Sequence, residues 1–104
     1  MERYAWKATL KDGMLAEYTR RHENLWPEMK EMLHQAGIRN YSIWNVDNEL
    51  FGYYECDSIR TAGEVQARSE INAKWDVYMQ DIIHAEKDPL TGAQPLMKQV
   101  FLFE

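Results

Sequence analysis

Residues 18–29 read YTRRHENLWPEM, and their types and spacing could move protons. Tyr18 and His22 are four apart, so on a helix their side chains share one face, one turn above the other. An imidazole with a pKa of about 6.5 gives or takes a proton near neutrality, which makes His22 a candidate general acid or base. Pro27 has no N–H, and its ring drives Trp26 out of the α region. A helix through His22 must therefore stop or bend before Trp26, leaving the histidine in the last turn beside an opening. The residues alone leave two readings: a proton-transfer group at a cleft mouth, or a surface histidine held by Glu23 or by the helix C-terminus.

The other reactive side chains carry less. His34 lies in EMLHQAG opposite the apolar Met29, Met32 and Leu33, a solvent-facing place, and His84 begins a loop. The three histidines lack metal-ligand spacing and no Cys/His cluster accompanies them, so no metal site is expected. Cys56, without a nucleophile motif around it, reads as buried filler. There is no phosphate-binding Gly-rich loop, nucleophile elbow or dinucleotide fingerprint, and hence nothing that asks for a cofactor. Trp75 falls on an apolar helical stripe and Asp76 falls off it, so by spacing the first is core and the second solvated. Tyr41 has the opposite parity to Trp44 and Val46 and faces either the helices or the far side of its sheet.

These residues must be positioned by a small fold. The chain has 104 residues, enough for one domain, 1–104, with a single core. Twelve basic against 17 acidic residues give a net charge of −5, which argues against a nucleic-acid surface. No apolar run approaches the roughly 20 residues that span a bilayer, so no membrane partner is expected. The start MERYAWKATL lacks the apolar region of a signal peptide, and a single cysteine suits a reducing compartment, so a cytoplasmic location is expected. Four Trp, six Tyr and three Phe are many for this length and could wall a flat or sugar-like ligand.

Residues 3–10 alternate Tyr4, Trp6, Ala8 and Leu10 against Arg3, Lys7 and Thr9, a half-buried strand. A KDG turn leads to a helix carrying Met14, Leu15, Tyr18 and His22 on one face. Beyond Pro27, Met29, Met32, Leu33 and Ala36 make a second helical piece, which Gly37 stops. IRNYSIWNV and ELFGYYEC are strands joined at Asp47–Asn48. Residues 59–68 are weakly helical, and from 71 a stripe of Ile71, Trp75, Tyr78, Met79 and Ile82 is strongly so. HAEKDPLTGAQP reads as a loop and MKQVFLF as a closing fourth strand. The order is β-α-β-β-α-β, an α+β ferredoxin-like sandwich with both helical segments on one sheet face. The third and fourth strands are apolar on both parities, as strands buried on both faces are. One helical layer covers only one face, so a homodimer of the dimeric α/β-barrel type is expected, its second subunit covering the other.

The run EYTRRHENLWPEM, followed by GIRNYSIW, resembles the L-rhamnose mutarotase family, whose pattern is approximately E-Y-x-R-R-H-x-x-I-W-P-E-L and then G-x-x-N-Y-x-I. The resemblance extends over nearly the whole chain, through a W-x-x-Y-M helix at Trp75 to Met79 and a terminal run from Val100. It implies a dimeric ferredoxin-like fold and interconversion of the α and β anomers of L-rhamnose, a monosaccharide, without cofactor or metal. It also implies that His22 is the proton donor and that Tyr18, Tyr41 and Trp75 contact the sugar. Two departures stand out. Asp76 replaces the second tryptophan of a common W-W-x-Y-M, and the P-x-N-P-D-N-S-P loop of the family is HAEKDPLTGAQP here. A carboxylate at 76 accepts hydrogen bonds from sugar hydroxyls, so Asp76 bears on which sugar is preferred. Two other classes share such a fold: a dimeric α/β-barrel oxygenase, which would need an apolar cavity, and a non-catalytic small-molecule-binding module.

Overall fold

The structure, a computed structural model, describes residues 1–84 and 97–104. Strand β1 (Glu2–Leu10) buries Trp6, Ala8 and Leu10, the face that its alternation selects. Helix α1 (Leu15–Glu23) carries Glu17 in its first turn and Arg20, Arg21 and His22 in its last, the charge order that the helix dipole favours. It ends at Asn24. Trp26 then takes an extended conformation, φ −58° and ψ 137°, as a residue before proline must, and α2 (Pro27–Gln35) starts on the proline itself. His22 thus stands in the last turn before the break.

Gly37, at φ +75°, ends the second helical piece in the left-handed conformation that glycine adopts without strain. Strands β2 (Arg39–Val46) and β3 (Glu49–Cys56) form the hairpin, with Asp47 left-handed at φ +52° in the turn. The second helical segment is two helices, α3 (Ile59–Arg68) and α4 (Glu70–Met79). Ser58 caps α3 by accepting from the Thr61 amide, and Ser69 caps α4 by accepting from the Asn72 amide. Ser69 also terminates α3, which explains why the helical pattern weakens and then restarts there.

The sheet has the order β2-β3-β1-β4 with every pairing antiparallel, the ferredoxin-like arrangement. Its last strand differs from expectation. β4 is the short Ile83–His84, paired with Leu10 and Thr9, so His84 is a strand residue rather than the start of a loop. Residues 97–104 are not a strand. The Met97 amide donates to the Ala5 carbonyl, but Val100, Phe101 and Phe103 are 88, 77 and 86 % exposed. A run that is apolar on both parities signals burial on two sides, and among the described residues neither side of this one is covered. The expected loop lies outside the described residues from 85 onward.

The core lies between the sheet and the helices. Trp6, Leu10 and Leu50 from the sheet meet Tyr18, Met29, Met32, Trp75 and Met79 from the helices, while Tyr54, Cys56, Ala36, Ile38 and Ala62 form a second cluster at the other end. Cys56 is buried, as expected of filler. The odd residues of β3, Phe51 and Tyr53, point away with Trp44 and Val46 of β2, and this outer face is only partly covered.

Candidate active site

Helix α1 presents Tyr18 and His22 inward, and their rings stack with centroids 4.2 Å apart. The edge of the imidazole meets the Trp75 indole of α4 at 90° and 5.4 Å. Trp26, swung inward by the pre-proline turn, packs on Trp75 at 5.0 Å and on Tyr78 at 5.3 Å. His22 is therefore held in an aromatic wall built from the helix break on one side and α4 on the other.

The imidazole has a defined proton position. Its Nδ1 lies 3.0 Å from the Tyr18 carbonyl oxygen, which can only accept, so Nδ1 carries the hydrogen and Nε2 keeps its lone pair. Burial holds the His22 pKa below the usual histidine value, and the bond to the Tyr18 carbonyl opposes that only in part. At neutral pH the ring is uncharged and accepts a proton at Nε2. Burial also pushes the Tyr18 phenol well above the usual tyrosine value, so it stays protonated.

Tyr41 enters from the sheet beside a local irregularity. Arg39 pairs with Glu55 and Ser42 with Tyr53, so Asn40 and Tyr41 together oppose the single residue Tyr54. Asn40 adopts φ +51°, a conformation that asparagine tolerates better than most residues, and its amide donates to Glu55. Tyr41 keeps the alternation of Ile43 and so lies on the helix side, its ring 5.2 Å from that of Tyr54, while the bulge turns Arg39 to the outer face. The residue as a whole is 37 % exposed, while its hydroxyl accepts a 2.9 Å hydrogen bond from the Trp6 indole N–H. Burial raises the Tyr41 pKa strongly, and the hydrogen bond from the Trp6 indole opposes that only in part.

Of the residues expected in the site, Tyr18, His22 and Trp75 are in ring contact, and Tyr41 faces the same layer. Asp76 follows Trp75 on α4 and is exposed, as its place off the apolar stripe requires. His34 is exposed. Among the described residues no group of three or more His, Cys, Asp or Glu is placed to hold a metal ion.

Sequence reasoning missed four participants. Trp26 and Tyr78 complete the wall, and the signals for them were the W-P step and the three-residue spacing from Trp75. Arg21, buried beside His22, donates to the Tyr78 carbonyl at 2.7 Å and to both carboxylate oxygens of Asp81 at 2.9 and 3.1 Å. Its guanidinium also lies 4.2 Å from the Tyr78 ring centre. The second arginine of the R-R-H run thus ties the histidine helix to the end of the tryptophan helix.

A profile of the L-rhamnose mutarotase family matches residues 3–103. The chain belongs to that family. An L-rhamnose mutarotase from Lachnoclostridium phytofermentans is 41 % identical over 90 residues, covering 85 % of this chain and 86 % of that one. The crystal structure of an L-rhamnose mutarotase from Formosa agariphila matches with a TM-score of 0.82 and 32 % identity over the full length of both chains. Tetracenomycin F2 cyclase from Streptomyces glaucescens, a type-II polyketide cyclase, matches at a TM-score of 0.70 over the full length of both chains. It is only 10 % identical, so its likeness to this mutarotase-family chain is one of fold alone.

Proposed function

We propose that this chain interconverts the α and β anomers of L-rhamnose or a closely related deoxy-hexose, with His22 moving the proton. Tyr18, Tyr41, Trp75 and Asp76 contact the sugar. The observation that carries the reading is the state of His22. In a chain of the mutarotase family, the histidine of R-R-H is held through Nδ1 on the Tyr18 carbonyl, which leaves Nε2 as the accepting nitrogen, and burial favours its uncharged form.

The chemistry follows from that state. Neutral His22 takes the proton of the anomeric hydroxyl at Nε2. The electron pair of that O–H bond becomes the second bond of the C1 carbonyl, the bond from C1 to the ring oxygen breaks, and the ring oxygen takes a proton from an acid in the site. Rotation about C1–C2 presents the other carbonyl face. On reclosure the imidazolium returns its proton to the carbonyl oxygen and acts as the donor. Nothing is oxidised and no carbon–carbon bond breaks, so the reaction requires no cofactor. The tyrosines, protonated at neutral pH, donate to sugar oxygens, and the Trp75 indole packs beside the imidazole that moves the proton.

The working form in this reading is a cytoplasmic homodimer. Trp44 and Val46 are 69 and 53 % exposed on the outer sheet face, and Val100, Phe101 and Phe103 of the terminal run are exposed as well. A second copy is the partner whose apolar surface matches.

The test is saturation-transfer NMR of anomer exchange on L-rhamnose and its epimers, with the spontaneous rate subtracted. Exchange faster than the background, with one deoxy-hexose preferred, is the expected result. A folded protein that leaves every sugar at its spontaneous rate would refute the reading.

A further inference from the structure

Trp6 of β1 and Gly52 of β3 are direct cross-strand partners on the helix face. A Cβ on Gly52 would sit 2.0 Å from the Trp6 Cε2 and 2.3 Å from Cζ2 and Nε1. No side chain fits there. The missing side chain lets the indole lie flat across β3 and reach the next strand, β2, where its Nε1 meets the Tyr41 hydroxyl at 2.9 Å.

The chemistry of that contact has one direction. An indole N–H only donates, so the Tyr41 oxygen accepts and retains its own proton for donation elsewhere. A hydroxyl that accepts one hydrogen bond is polarised into a better donor of the next. Strand alternation places Tyr41 on the helix side, and Trp6 then fixes where on that side its oxygen rests. Packing on Gly52 calls only for an aromatic ring, whereas the bond to Tyr41 calls for the indole N–H.

We propose that Trp6 is a positioning residue of the sugar site. Its indole N–H, reaching over Gly52, holds the Tyr41 hydroxyl so that Tyr41 offers its proton to a sugar oxygen. The inference rests on the reading of Tyr41 as a sugar contact given above.

Trp6→Phe keeps an aromatic ring over Gly52 and removes the donor. In the parent background it should lower kcat/KM for anomer exchange about 3- to 10-fold, the range of one hydrogen bond, without loss of near-UV circular dichroism from the remaining aromatics. In a Tyr41→Phe background the same substitution should cost nothing further, because the bond is already gone. An equal loss in both backgrounds, or no loss in the parent, would overturn the proposal. A second measurement does not depend on catalysis. In ¹⁵N-labelled protein the Trp6 indole N–H signal, assigned by its disappearance in Trp6→Phe, should move upfield in Tyr41→Phe, and an unmoved signal would also overturn it. A parent protein without exchange activity would sink the mutarotase reading instead, while the indole signal would still report on the bond.

Discussion

Arg21 and Asp81, 60 residues apart, meet in a two-pronged bond that fastens the end of the histidine helix to the end of the tryptophan helix. The same guanidinium binds the Tyr78 carbonyl and lies on the Tyr78 ring. A planar five-donor fork can do all of this at once and an ammonium cannot. Arg21→Lys should therefore lower the melting temperature by on the order of 5 °C and loosen the aromatic wall. Exchange should slow mainly through a higher KM, as the Trp75 and Tyr78 rings lose their register. A variant with parental melting and parental KM would count against the clamp.

Acid should affect this protein twice, and the two effects separate. The Arg21 bond holds the Asp81 carboxyl below its usual value of 3.8, so the clamp contributes fully above pH 3.8 and is lost as pH falls through the lowered value. His22 is depressed below 6.5 by burial. Its neutral form persists above 6.5, and both stability and the proton-accepting function decline as pH falls from 6.5 through the lowered value. Enzyme-dependent exchange should be level between pH 7 and 8 and should fall on the acid side with a midpoint below 6.5. A midpoint above 6.5 would mean that the histidine is not buried in the working protein.

Asp76 follows the indole that faces His22, at the position where the family commonly has a second tryptophan. Asp76→Trp should change the order in which L-rhamnose, L-fucose and their epimers are accepted more than it changes the best rate. The comparison is exchange by the parent and the variant across that panel. An unchanged order would remove Asp76 from the account of selectivity.

The exposed outer face of the sheet should join two copies. Light scattering at micromolar concentration should give twice the 12.4 kDa chain mass, and Trp44→Asp should shift it toward the single chain. A parent that scatters as one chain would contradict the dimer.

What was legible in the sequence depended on how local each cause was. The break after His22 follows from Pro27 five residues on, and the hairpin from its own two turn residues, so both were readable. The inner and outer faces of β3 followed from alternation, although Gly52 gave no hint of the indole above it. Tyr41 keeps the parity opposite to Trp44 and Val46, as alternation predicts, but which parity faces the helices was not readable from β2 alone, and the left-handed Asn40 changes the count only for Arg39 at the start of the strand. The Arg21 clamp was hidden because its partner lies 60 residues away and no periodic pattern connects them. The fourth strand was misassigned to residues 97–103 because an apolar run on both parities signals burial without saying against what. The pairing edge of β1 is met instead by Ile83 and His84, one short turn after α4.

The central claim is that His22 carries the proton, and His22→Gln tests it most directly. Glutamine keeps a donor that can reach the Tyr18 carbonyl and preserves much of the packing against Tyr18 and Trp75, but it has no titratable nitrogen. Saturation-transfer NMR of anomer exchange, corrected for the spontaneous rate, should show a loss on the order of 10²–10⁴-fold between pH 6 and 8 in a variant that melts as a folded protein. Near-parental exchange by folded His22→Gln over that range would contradict the account and leave His22 as a packing residue.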